Sequence, residues 1–142
     1  MKIELNRVDD DFHFQATGSS DVPVNIDAAE SIGGHNQGAR PMELLLMGIG
    51  GCSAIDIISI LKKQKQQIDD FKIVIDAERE KDKVPSLFEY VNVVFYLTGN
   101  LEHSKVERAV NLSMEKYCSA AAVIGKTVEI KYSFEINQQK GK

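Results

Sequence analysis

The sequence predicts a mixed α+β fold, and three patterns carry that expectation. Several short runs alternate apolar with polar residues, as half-buried strands do. One run, residues 44–61, is apolar almost without interruption and follows a proline, as a buried helix would. Strand patterns flank that helix on both sides, and a second helical pattern precedes the last of them, an α+β order.

Taken in order, Ile3 and Leu5, then Phe12, Phe14 and Ala16, predict two strands around a turn at residues 9–11. Gly18 with Ser19 and Ser20 marks a loop. Residues 22–27 predict a short third strand, which Pro23 places at a sheet edge or at its own start. Residues 28–40 contain Gly33, Gly34, His35, Asn36 and Gly38 and predict a linker that approaches something closely. Pro41 opens the long helix, expected to run to about Leu61 and to become solvated over residues 62–67. Phe71, Ile73, Ile75 and Ala77 predict a fourth strand. Val91, Val93, Phe95 and Leu97 predict a fifth. Its other face carries Tyr90, Asn92, Val94 and Tyr96, so both faces are fairly apolar and the strand should be central. Ser104 and Glu107 have capping-box spacing and predict a second helix. Val106, Ala109, Val110, Ser113 and Tyr117 form its expected buried stripe. Cys118 follows, then a short apolar segment ending at Gly125, and a last strand with Val128, Ile130, Tyr132, Phe134 and Ile136 on one face. There is no internal repeat. Residues 1–142 read as one domain, with disorder expected only at the polar tail from Gln138 onward.

Composition narrows the partners. A net charge of −4 with no basic cluster argues against nucleic acid and favours a neutral or apolar small molecule. No secretory signal is visible, so the cytoplasm is the expected compartment. The 44–61 run approaches membrane-spanning length, but Asp56 in its middle and Gly48, Gly50 and Gly51 argue against a span. Two cysteines in a reducing compartment predict no permanent disulfide; they are either small buried hydrophobes or redox groups. With three scattered histidines beside them, no cysteine-rich zinc site is indicated, and no phosphate-binding glycine motif implies a cofactor. The long helix is too apolar on all sides for one sheet to cover, so burial itself predicts an obligate homodimer.

Two segments carry a family resemblance. The run RPMELLLMGIGGC, residues 40–52, resembles the proline-opened, cysteine-bearing helix of the OsmC/Ohr family (osmotically inducible protein C and organic hydroperoxide resistance). The run EKYCS, residues 115–119, resembles that family's second cysteine segment, and the element order matches over nearly the whole chain. The resemblance implies an OsmC-like fold in an intertwined homodimer, with each site at the subunit interface. It also implies a thiol-dependent peroxidase for organic hydroperoxides, recycled by a dithiol. Cys52 then matches the peroxidatic cysteine and Cys118 the resolving one. The family supports its thiolate with an arginine and a glutamate. That glutamate follows the proline directly, whereas here Met42 does and Glu43 comes one later. No arginine lies in residues 28–37, which leaves Arg40 as the nearby candidate and places the chain in a divergent OsmC-like branch.

The residues themselves leave alternatives open. A reactive Cys52 needs a local positive field to become a thiolate. Either the glycines before it break the helix and give it a fresh N-terminus, or Arg40 or His35 reaches it. Glu43, nine residues earlier, falls roughly opposite Cys52 on an unbroken helix. Cys52 also reads as a plain core cysteine, and Cys118 as packing beside Tyr117. Asp56 shares a helical face with Cys52 and reads either as a site acid or, more readily, as a structural carboxylate held by a hydroxyl or a cation. His13 is expected on a strand surface and His103 in a turn. Met42 and Met47 are the expected lining of an apolar pocket. Three functions survive: the peroxidase, a non-catalytic small-molecule-binding dimer, and a carrier of a persulfide or thiol adduct on Cys52.

Overall fold

The computed structural model describes residues 1–138; the rest of the polar tail expected to be disordered lies outside them. The chain forms two compact units, Met1–Leu45 and Leu46–Lys142.

The first unit holds a three-stranded antiparallel sheet in the order β1 (Glu4–Arg7), β2 (Phe14–Thr17) and β3 (Val24–Ile26). The third strand is at an edge and begins just after Pro23, as its missing N–H requires. The linker that follows folds onto its own backbone. A Cβ on Gly34 would collide with the carbonyl of Ala28, so only glycine fits there. The linker also contains one short 3₁₀ turn, Glu30–Ile32. The first helix, α1, spans Pro41–Lys63. Pro41 is its first residue, and Glu43 Oε1 accepts the Arg40 backbone N–H at 2.8 Å, half of a capping box.

The second unit holds most of α1, two long strands and the C-terminal elements. The helix is unbroken, so the glycines at 48, 50 and 51 give Cys52 no new N-terminus. Its end is a Schellman turn. Lys65 takes a left-handed φ of 57°, Gln66 N–H bonds Leu61 O at 2.9 Å, and Lys65 N–H bonds Lys62 O at 3.1 Å. The sheet has the order β4 (Gln67–Arg79), β5 (Phe88–Asn100), β6 (Ile130–Ile136), with β5 central as expected. β4 pairs antiparallel and β6 parallel. Parallel pairing needs a crossover. It is supplied by α2 (His103–Leu112), a π-turn (Ser113–Tyr117) and α3 (Ser119–Ile124).

The core of this unit joins Val91, Val93, Phe95 and Leu97 of β5 to Ile49, Ile57 and Leu61 of α1 and Val106, Ala109 and Val110 of α2. Each fully buried branched or aromatic side chain contributes roughly 1.5–3 kcal/mol. Gly50 lets α1 approach β4: a Cβ there would lie 3.3 Å from Ile75 Cδ1. The other side of α1 is bare, with Met47 55% and Ile55 68% exposed.

Four local expectations are corrected. Ser104 lies inside α2, whose N-cap is Glu102 with no side-chain cap, so the capping box does not form. Tyr117 is 49% exposed, outside the buried stripe. The π-turn carries it away, because i→i+5 bonding advances side chains by less angle per residue than the α-helix does. His13 precedes β2 rather than lying on it and pairs with Asn25 Oδ1 at 2.9 Å, while His103 opens α2 and packs on the Phe134 ring.

Candidate functional site

Four residues of α1 face inward at helical spacing: Ile49, Ser53, Ile57 and Leu61. Ser53 returns its hydroxyl proton to Ile49 O at 2.7 Å, so its polar atom is satisfied inside the core. Cys52 and Asp56, one turn apart, flank that stripe and are half-buried. The π-turn lies against them. Ser113 Oγ donates to Asp56 Oδ2 at 3.0 Å, the hydroxyl partner expected for that carboxylate. The π-turn closes with Cys118 N–H on Ser113 O at 2.7 Å, and the backbone then turns extended at Cys118.

That turn aims Cys118 at α1. Its side chain is 3% exposed and its thiol lies 3.9 Å from Ile49 O. Cys118 is also the N-cap of α3, with Sγ accepting the Ala121 N–H at 3.4 Å. The sulfurs of Cys52 and Cys118 and a carboxylate oxygen of Asp56 lie within 4.8 Å of one another. Both thiols are free. Burial pushes the Cys118 thiol up to about 11; the Ala121 N–H pulls the other way, while Cys52 and Asp56 add to the rise. Cys118 is therefore a protonated thiol near neutral pH. Cys52 is the more accessible sulfur.

The remaining candidates belong to the first unit. Arg40 donates from Nη1 to Gly38 O at 3.0 Å and from Nη2 to Asn36 Oδ1 at 2.7 Å, both neutral acceptors. The Glu43 carboxylate is engaged in capping α1. Within the first unit the Arg40 backbone N–H meets Glu43; within the second the sulfurs of Cys52 and Cys118 meet. His35 donates to Asp11 at 2.6 Å on an exposed surface; that bond, against some burial, holds the imidazole above its ordinary pKa. Asp27, 2% exposed, carries a role the sequence did not reveal. Its carboxylate accepts N–H groups of Ala28 at 2.7 Å, Gln37 at 3.0 Å and His35 at 3.2 Å, tying down the linker. Burial alone would raise its pKa, but those donors outweigh it and hold the carboxyl below its usual value.

The family described as OsmC, OsmC-like protein, matches residues 34–133. The chain belongs to the OsmC-like family. Protein YhfA of Escherichia coli K12 is 44% identical over 117 residues, covering 75% of this chain and 87% of that protein. A hypothetical protein from Aquifex aeolicus has a solved structure that is 32% identical, with a TM-score of 0.83 over 98% of this chain and 97% of its own. An organic hydroperoxide resistance protein OsmC from Legionella pneumophila shares the fold, with a TM-score of 0.70 at 18% identity over 95% of this chain and 97% of its own. In this OsmC-like chain the mixed α+β order is the one the resemblance implied.

Proposed function

We propose that this OsmC-like chain is a cytoplasmic thiol-dependent peroxidase that reduces organic hydroperoxides and is recycled by a dithiol. The observation that carries the reading is the closeness of the sulfurs of Cys52 and Cys118, within 4.8 Å, with one accessible and the other buried. In the proposed cycle the Cys52 thiolate attacks the distal peroxide oxygen. The O–O bond breaks, the alcohol leaves with a proton, and Cys52 becomes a sulfenic acid. The Cys118 thiol then displaces water from it and forms the disulfide. A dithiol returns two electrons and two protons. The Legionella protein's description as an organic hydroperoxide resistance protein supports the substrate class.

We further propose a homodimer acting as one OsmC-like domain per chain. The uncovered side chains of α1, Met47 and Ile55 among them, support a second copy as cover. That cover would also enclose Met47 in the expected apolar pocket. Arg40 and Glu43, each displaced from the family's own positions, are the proposed candidates for support of the thiolate. The accessibility of Cys52 alone favours one second reading, a carrier of a thiol adduct on that sulfur.

The test is consumption of cumene hydroperoxide with a small dithiol, beside Cys52→Ser. Wild type is expected to turn over and the variant to fall to the uncatalysed rate. Equal rates would remove the peroxidase reading and leave a binding module.

A further inference from the structure

We propose that Cys52, Asp56 and Cys118 form a three-ligand site for a thiophilic divalent cation of the zinc class, occupied only when both cysteines are reduced. The site stands on geometry and does not depend on the peroxidase reading. Zinc ligated by thiolate at about 2.3 Å and carboxylate at about 2.0–2.2 Å brings its tetrahedral donors to within roughly 4 Å of one another. The two sulfurs and an Asp56 oxygen already lie within 4.8 Å, so closing on an ion needs a shift of about 1 Å.

The surroundings suit a ligand set. Ser113 Oγ donates to Asp56 Oδ2 at 3.0 Å, which fixes the carboxylate and leaves its other oxygen to coordinate. Ala121 N–H points at Cys118 Sγ at 3.4 Å, a donor that would stabilise a metal-bound thiolate. Among the described residues no cation pairs with Asp56, although it is half-buried beside two ionisable sulfurs. A buried carboxylate is ordinarily paired or coordinates a metal.

The donor set chooses the ion. Two soft sulfurs disfavour magnesium and calcium, which take oxygen ligands. A carboxylate as third ligand disfavours copper(I), which selects thiolate and thioether. Three protein ligands leave a fourth position for water, the arrangement of an open zinc site. Oxidation of the two thiolates to a disulfide removes both anionic sulfurs and must release the ion. With an oxidising diazene as reagent, the S–S bond forms as the two thiolates give two electrons to the N=N bond, which takes two protons from solvent to become the hydrazine.

The test is anaerobic titration of the reduced, metal-free full-length protein with cobalt(II), followed by competition with zinc. One ion per chain is expected, with a sulfur-to-cobalt charge-transfer band and tetrahedral visible bands. Cys52→Ser and Cys118→Ala should each cut the charge-transfer intensity by about half and weaken binding at least a hundredfold. Asp56→Asn should keep the intensity and weaken binding about tenfold or more. Wild type oxidised with diamide should bind none. That arm needs no variant to fold, and because it avoids hydroperoxide it reads the same whether or not the protein is a peroxidase. No charge-transfer band in the reduced protein, or equal affinity in Asp56→Asn, would overturn the proposal. So would binding that survives diamide and is lost in His35→Ala, which would place the ion at the exposed cluster of Asp9, Asp11 and His35 instead.

Discussion

Asp27 in the first unit and Asp56 in the second are both withdrawn from solvent, and their partners differ in kind. Asp27 accepts three backbone N–H groups of its own linker, so its carboxylate is saturated and its work is structural. Asp56 accepts one serine hydroxyl and keeps an oxygen beside two sulfurs. A saturated carboxylate fixes a loop; an unsaturated one beside reactive groups is available for chemistry. The same contrast separates the cysteines. Cys118 is enclosed and protonated, whereas Cys52 meets solvent.

The largest effect that would sharpen this contrast is expected from Cys118→Ser. If the buried thiol resolves and the accessible one reacts, the variant should still consume about one equivalent of hydroperoxide per chain. Its dithiol-dependent turnover should fall at least tenfold. Stopped-flow consumption followed by steady-state assay separates the two. Unchanged turnover would mean that external thiol alone resolves Cys52.

Next in size is Asp27→Ala, which strips three N–H groups of their acceptor. Limited proteolysis should cut residues 28–37 several-fold faster than in wild type, with the Cys52 reaction preserved. The linked pH effect has a definite sign. Because the folded pKa of Asp27 lies below its ordinary value, its contribution is present above the unfolded pKa and disappears as pH falls through the folded one. Acid unfolding monitored by circular dichroism should therefore begin at higher pH in Asp27→Asn.

How much of this could be read beforehand depends on how local the cause is. Pro41 and the lysines after Leu61 mark the limits of α1 because chain-local chemistry sets helix ends. The two apolar faces of β5 announce its central place. The π-turn left no such signal, and it displaced Tyr117 from the stripe that a regular helix would have given it. Ser104 and Glu107 had capping spacing, but the helix starts at His103, too early for Ser104 to sit at its N-cap. The meeting of Cys52 with Cys118, 66 residues apart, depends on how the crossover packs on α1; only the family resemblance pointed to it. Asp27 was invisible because its partners are backbone groups, which no residue identity reports.

A smaller effect is expected from Ser113→Ala, which leaves Asp56 without its donor. Loss of a single hydrogen bond to a charged, half-buried group costs about 1–3 kcal/mol. Urea unfolding should show that loss with the slope unchanged. A neutral result would mean that water replaces the hydroxyl.

Disulfide mapping after one equivalent of cumene hydroperoxide asks whether Cys52 and Cys118 act as one redox pair. The reduced protein is mixed with the peroxide, quenched with an alkylating agent after seconds, digested and read by mass spectrometry. A single linked peptide joining Cys52 to Cys118 is expected, with both thiols protected from alkylation. Two freely alkylated cysteines, or a Cys52 oxidised to sulfinic acid beside an untouched Cys118, would contradict it.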